Sequence, residues 1–301
     1  MRLGLDLGGT NLKMGVFDES GNEHDFRNIP VAEISTRNGL WNGILKTASE
    51  FGTPHNISSL GLSIKGLVAS DGTMCDDIGL AAHFRGLNLK NSLENQFGVP
   101  SKVVNDARAY SWGEYKFGAG KGSQIMICLT LGTGVGCAIV SDGKPWFGAD
   151  PTGGILGGHI SIDRNGPECP CGNRGCLEGY CSASALHKRI LHAHQDLASE
   201  NDVLTTFFSK IRQGEQTYKT LLEEWSTDLA LGIVSLVHTC GADRVVIGGG
   251  VAESADVFLP LVQTIVHQRA WTYPRGITRI KSAVLNNRAA TLGAAFYPDF
   301  H

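Results

Sequence analysis

The 301-residue chain lacks any excess of positive charge. Its 26 Lys and Arg against 29 Asp and Glu leave a net charge of −3, which excludes a general attraction to nucleic acid or to an anionic membrane. No stretch reaches the roughly 18 consecutive apolar residues of a membrane span. The opening residues, Met1-Arg-Leu-Gly-Leu-Asp6, enter a strand-like pattern without the apolar segment and cleavage site of a secretory signal, so a cytoplasmic location is expected. A reducing compartment excludes a disulfide framework, and the 8 cysteines need another explanation. What remains is ordinary for a globular protein: 42% hydrophobic and 18% charged residues, long enough for two domains.

Glycine is abundant, 39 residues, and clusters at strand ends. Leu3–Leu7 and Leu12–Phe17 read as short strands around Gly8-Gly9-Thr10, with a polar turn at Asp18–Gly21. Residues 38–51 read as a helix, Leu60–Ile64 as a buried strand, Val103-Val104 as the end of another, and Ala107–Tyr115 as a helix. The pattern then restarts. Ile125–Leu131 is a strand, Gly132-Thr133-Gly134 a turn, and Gly136–Val140 a returning strand. This repetition points to a duplicated α/β domain. Residues 218–239 read as an amphipathic helix, Arg244–Ile247 as a buried strand running into Gly248-Gly249-Gly250, and Arg288–Phe296 as a C-terminal helix. Cys128 and Cys137 lie in apolar runs and read as core thiols, whereas Cys75, Cys181 and Cys240 show no partner.

Asp6-Leu-Gly-Gly-Thr10 joins a strand-end carboxylate to two glycines and a hydroxyl. Glycines let backbone approach a phosphate closely, and the carboxylate would hold Mg²⁺ directly or through water. A plain hairpin turn accounts for the same residues. Leu131-Gly-Thr-Gly-Val-Gly136 is a second such turn, and the two together would clasp a polyphosphate. Gly118-Ala-Gly-Lys-Gly122 lacks the Walker spacing and reads as a linker. Gly248–Gly250 would let adenine and ribose lie against backbone, or serve packing alone. Asn105-Asp106 sits at a strand end before a helix, where α/β folds place ligand groups. A carboxylate there would accept a proton from an attacking sugar hydroxyl; a helix N-cap is the plainer explanation.

The strongest local signal is His159 followed by Cys169-Pro-Cys171-Gly-Asn-Arg-Gly-Cys176, with Glu178 two residues on. Three thiols and an imidazole are the ligand types of a closed tetrahedral Zn²⁺ site, and a loop rich in Gly, Pro and Asn offers those thiols no core. A closed site leaves no position for metal-activated water.

In this order the motifs resemble the ROK family of bacterial sugar kinases, within the actin–hexokinase superfamily, over essentially the whole chain. Asp6–Thr10 resembles the first phosphate motif, Leu131–Gly136 the second, Val246–Val251 the adenosine motif and Cys169–Glu178 the zinc signature. The resemblance implies two actin-like (ribonuclease H-like) α/β domains with an interdomain cleft. Residues 1–117, completed by a helix over 288–301, would form one domain, and residues 118–287 with the zinc loop the other. Asp106 would be the catalytic base, with Asn105, His159 and Glu178 orienting the sugar. Gly8, Gly9, Thr10, Asn11, Lys13, Gly132, Thr133 and Gly134 would hold phosphates, Gly248, Gly249 and Gly250 adenosine, and Asp6 Mg²⁺. His159, Cys169, Cys171 and Cys176 would hold Zn²⁺. A homodimer is also implied.

Two departures bear on the substrate. Where the family has Glu-x-Gly-His this chain has Leu156-Gly-Gly-His159, and where it has Pro-Gly this chain has Lys65-Gly66. Both fall near the expected sugar pocket, and relatives acting on N-acetylmannosamine also lack the Glu. The expected activity is ATP- and Mg²⁺-dependent phosphorylation of the primary hydroxyl of a hexose or modified hexose. The alternatives are an N-acylhexosamine kinase and a non-catalytic sugar sensor, and a sensor needs neither Asp6 nor Asp106. The repressors of this family carry an N-terminal DNA-binding motif, for which the residues before Asp6 leave no room.

Overall fold

Leucines at every second position and a Gly-Gly bend fold the N-terminal segment into a hairpin. β1 (Arg2–Leu7) and β2 (Asn11–Phe17) pair antiparallel with Leu7 opposite Leu12. β3 (Glu23–Pro30) extends the hairpin, followed by α1 (Val31–Ile34) and α2 (Leu40–Gly52). β4 (Ser59–Ile64) returns parallel to β1. After α3 (Leu89–Phe97), β5 (Ser101–Asn105) lies parallel to β4 and leads into α4 (Asp106–Phe117). The sheet order is β3-β2-β1-β4-β5. This computed structural model describes residues 1–34, 39–76, 79–150 and 152–298. Residue 38, at the start of the expected first helix, and residues 299–301, at the end of the expected C-terminal one, lie outside the described residues.

The second sheet repeats the first. β6 (Ile125–Leu131) and β7 (Val135–Ser141) form the hairpin, and β8 (Lys144–Pro145) extends it. There follow α5 (Glu178–Cys181), α6 (Ala183–Ala193), α7 (Val203–Arg212) and α8 (Lys219–Cys240). β9 (Arg244–Gly248) then lies parallel to β6, and after α9 (Ala255–Arg269) β10 (Arg279–Ser282) lies parallel to β9. The order β10-β9-β6-β7-β8 is that of the first sheet read from its other edge, so the duplication extends to topology. Each sheet has its own apolar core, centred on Leu3, Leu5, Leu62 and Phe51 in one and on Leu129, Trp225, Val245 and Phe258 in the other. Cys128 and Cys137 are buried.

The chain divides into two compact units, Met1–Lys121 with Phe147–Gly153 and Leu285–His301, and Gly122–Trp146 with Gly154–Val284. α10 (Ala289–Ala295) belongs to the first and stops three residues before Pro298, within one residue of the 288–296 pattern at each end and shorter than the helix over 288–301 that the resemblance implied. It packs on Gly4 and Gly61, which lie in one row across the sheet with Gly15. A Cβ at Gly4 would strike the Thr291 carbonyl, and one at Gly61 the Ala294 carbonyl. Gly61→Val is expected to destabilise the protein by about 3 kcal/mol, the upper part of the overpacking range, seen as a lower urea midpoint. An unchanged midpoint would contradict this close helix–sheet contact.

Two buried side chains, Arg108 and Glu114, fasten loop segments to the first unit. Arg108 on α4 donates to the Gly153 carbonyl and lies 4.1 Å from the Phe147 ring centroid, which draws Phe147–Gly153 into the first unit rather than into the continuous stretch expected over 118–287. Glu114 is 0% exposed, yet both oxygens are bonded: Oε2 accepts from Ala119 N at 2.9 Å and Oε1 from Leu285 N at 2.8 Å. Those bonds offset the cost of burying the carboxylate and pin the segments where the chain leaves and re-enters this unit.

Candidate active site

In the first unit the polar residues gather at the carboxyl ends of the parallel strands, where open α/β sheets bind ligands. Asp6 on β1 lies directly between Lys13 on β2 and Ser63 on β4. The Ser63 hydroxyl donates to Asp6 Oδ1 at 2.8 Å, and Lys13 Nζ stands 3.8 Å from Oδ2. Lys13 is also held by Asn287 Oδ1 at 3.1 Å. Burial pushes the Asp6 carboxyl above the usual range, and the Ser63 bond and Lys13 charge pull it back. Gly8 N donates to Asn11 O at 2.9 Å, closing the bend, while Asn11 Nδ2 donates to Thr10 Oγ1 at 3.3 Å. Nothing stands within 4 Å of where a Gly9 Cβ would be.

One strand further along, Asn105 caps α4. Its Oδ1 accepts from Ala107 N at 3.0 Å and Arg108 N at 3.3 Å. Its Nδ2 donates to Gly66 O and to Asp106 Oδ1, both at 3.0 Å. These four bonds use both donors and both acceptor positions of the side chain, and one of them links Asn105 to Asp106. Asp106 Oδ1 also accepts from Ala107 N at 2.9 Å, and Oδ2 carries no hydrogen bond among the described residues. Burial raises the Asp106 carboxyl to about 6; the Ala107 amide lowers it, the Asp6 charge raises it and the Lys65 charge lowers it. Lys65 itself is exposed, at the site end of β4, one residue beyond the pair Ile64–Asn105.

In the second unit the corresponding strand ends bring the two remaining glycine motifs together. Thr130 on β6 is paired with Gly248 on β9, which places the Gly132–Gly134 turn beside Gly248–Gly250. Gly249 has φ +84°, and a Cβ there would stand 2.5 Å from the Leu131 carbonyl. Gly132 and Gly250 face open space where a Cβ would be. The Thr133 and Gly134 amides donate to no backbone carbonyl among the described residues, leaving N–H groups for an anion. Glu178 opens α5 and reaches this turn, its Oε2 accepting from Val135 N at 2.9 Å. Leu156 begins the single helical turn Leu156–His159 and is 47% exposed, so it does not serve the core.

His159, Cys169, Cys171 and Cys176 converge, with their ligand atoms all within 4.8 Å of one another. Cys171 Sγ lies 3.6 Å from Cys176 Sγ, and His159 Nδ1 lies 3.5 Å from Cys169 Sγ. A tetrahedron with Zn–S of about 2.3 Å and Zn–N of about 2.0 Å has edges of roughly 3.8 Å between sulfurs and roughly 3.5 Å between nitrogen and sulfur, so the cluster fits that ion. Without a cation, burial pushes the Cys176 thiol up to about 12, with Cys171 and Cys169 adding to the rise. The loop is folded by its own backbone: Cys169 N bonds Asn173 O, Ile162 N bonds Gly175 O and Leu177 N bonds Ile160 O. Cys181, buried, stands outside the cluster.

Ser63 was not singled out by its motif. The available signal was one hydroxyl in the otherwise apolar run Leu60-Gly-Leu-Ser-Ile64.

The ROK family model matches residues 2–298. The glucokinase of Streptomyces coelicolor is 28% identical to the chain, over 98% of the chain and 96% of that protein. The N-acetylmannosamine kinase of Escherichia coli O1:K1 is 29% identical, over 97% and 96%. A ROK family glucokinase from Streptomyces griseus, solved in complex with glucose and AMPPNP, superposes with a TM-score of 0.79 at 28% identity, covering 98% of this chain and 97% of that one. With the family pattern spanning both sheets, the zinc-type cluster and every glycine turn, the chain belongs to the ROK family, and its fold is that of the actin-like sugar kinases.

Proposed function

We propose that this ROK-family carbohydrate kinase transfers the γ-phosphoryl group of ATP to the primary hydroxyl of a hexose or modified hexose. Asp106 carries the reading. Two N–H donors fix its Oδ1 and leave Oδ2 open, and its carboxyl, raised to about 6, is ionised at neutral pH yet basic enough to take a proton in the transition state. The sugar oxygen attacks the γ-phosphorus, its proton passes to Oδ2, and the bond to the β-phosphate oxygen breaks to release ADP. In the first unit the Gly9 and Thr10 amides, which donate to no backbone carbonyl among the described residues, are assigned to phosphate with Lys13 adding charge; in the second unit the Thr133 and Gly134 amides are assigned to phosphate and Gly248–Gly250 to adenosine. Asp6 would hold Mg²⁺, which would supply charge neutralisation on the phosphates.

His159 and Glu178 are assigned to the sugar. His159 Nδ1, the ring nitrogen that faces Cys169 Sγ, would hold Zn²⁺, and Nε2 would then be the ring's donor to a hydroxyl. Glu178 Oε1 remains to accept one. The exposed Leu156 lies in the same turn as His159 and offers no hydrogen bond, so a hydroxyl presented to it would stay unpaired at roughly 1–3 kcal/mol. We therefore assign the substrate to hexoses that are epimerised, deoxy or acylated at that carbon, with N-acetylmannosamine among them. ADP release over glucose, mannose, allose, fructose, N-acetylglucosamine, N-acetylmannosamine and an acidic hexose tests both parts. The expected result is turnover with a modified hexose ahead of glucose in kcat/KM, and a Leu156→Glu variant shifted toward glucose by about 10-fold or more. Sugar binding with no ADP release would make the protein a sensor. Glucose as the best substrate, unaffected by Leu156→Glu, would remove the substrate assignment while leaving the kinase.

A further inference from the structure

Ser63 is 0% exposed and sits near the carboxyl end of β4, between β1 and β5, with the apolar side chains Leu62 and Ile64 on either side of it in the strand. A buried hydroxyl is costly without a partner, and alanine would fill nearly the same space without that cost. Its side-chain partner is Asp6 Oδ1, at 2.8 Å. The pairing is set by strand register: Asp6 lies opposite Ser63 on one side and opposite Lys13 on the other. Two residues back along the same strands, α10 packs closely on Gly4 and Gly61. The terminal torsion of an aspartate is broad and roughly two-fold, so packing alone does not decide which oxygen faces which neighbour. Here the hydroxyl decides it, giving Oδ1 to Ser63 and setting Oδ2 3.8 Å from Lys13 Nζ.

We propose that Ser63 is a positioning residue for the metal–nucleotide complex: its hydroxyl fixes the orientation in which the Asp6 carboxylate takes the divalent cation. The inference rests on the assignment of that cation to Asp6. Groups that orient a metal-binding carboxylate typically matter by 10- to 100-fold in affinity.

The test is Mn²⁺ binding to the intact protein with a non-hydrolysable ATP analogue, read from the paramagnetic resonance signal of free Mn²⁺, alongside thermal melting and sugar KM. Ser63→Ala is expected to weaken Mn²⁺ binding about 10-fold with melting temperature and sugar KM close to those of the parent, and Ser63→Thr, which keeps the hydroxyl, to restore binding. Asp6→Asn is expected to weaken it at least as much. Should Ser63→Ala fail to fold, Ser63→Cys replaces it, since a thiol keeps the volume and is a weak donor. Parent-like Mn²⁺ binding in Ser63→Ala with loss in Asp6→Asn would overturn the role of Ser63 and leave that of Asp6 standing. Equal defects in the Ala and Thr variants would also overturn it, because shape rather than the hydroxyl would then matter. Parent-like binding in Asp6→Asn would instead take down the assignment of the cation to Asp6.

Discussion

Asp106→Asn is expected to lower kcat by about 10²-fold or more, with sugar still bound. Asparagine keeps an acceptor oxygen for the Ala107 amide and the Asn105 side chain, so the start of α4 should keep its shape. What disappears is the proton acceptor at Oδ2. The parent enzyme should show an acid limb in kcat/KM, with activity rising through pH about 6 as Asp106 ionises and levelling above it. The same burial has a stability consequence of opposite sign. The folded state binds this proton more tightly than the unfolded chain, whose carboxyl titrates near 3.8, so stability falls as pH rises from there to about 6 and stays lowered above it. The Asn variant carries no such charge and should melt at the same or a higher temperature than the parent at pH 7–8. Near-parent turnover in the variant would reduce Asp106 to a helix-start residue.

The second large effect is expected at the metal cluster. Protein purified without chelators should contain about one zinc per chain, as one four-ligand site requires. Cys171→Ser removes one of four ligands and should release the ion, with structural zinc sites contributing on the order of 10 kcal/mol to the order of small domains. The loss should propagate to sugar binding. His159 is itself in the cluster, and Glu178 follows Cys176 by two residues and bonds the Val135 amide beside the Gly132–Gly134 turn. Elemental analysis, melting temperature and sugar affinity should fall together in this variant. Zinc-free protein with parent-like sugar affinity would refute the link between the loop and the sugar.

The parts of this protein that were legible in one dimension are those whose physics is local. The hairpins around Gly8–Thr10 and Gly132–Gly134 were readable because apolar runs flank residues suited to a tight bend. The metal cluster was readable because its Cys ligands lie a few residues apart in one loop, and His159 is linked to them by a short segment. β3, Glu-His-Asp-Phe-Arg-Asn-Ile-Pro, was not, because an edge strand needs no continuous apolar run and carries charge instead. β10, Arg-Ile-Lys-Ser, at the edge of the second sheet, likewise carries no continuous apolar run.

The residue chemistry of the candidate site divides in the same way. The sequence alone determined the class of the chain: a duplicated α/β protein with phosphate-type glycine turns, a strand-end Asp before a helix and a Cys₃His cluster, all set by spacing along the chain. Only the tertiary structure decided how those groups are used. Strand order placed Ser63 beside Asp6 across a gap of 57 residues. Packing around α4 set the Asp106 carboxyl to about 6, added Gly66, 39 residues away, to the local cap bonds of Asn105 and bound Leu285 to Glu114 across 171 residues. Hydrogen bonding and desolvation depend on what surrounds a group in space, and for these residues the surroundings come from parts of the chain that no local spacing connects.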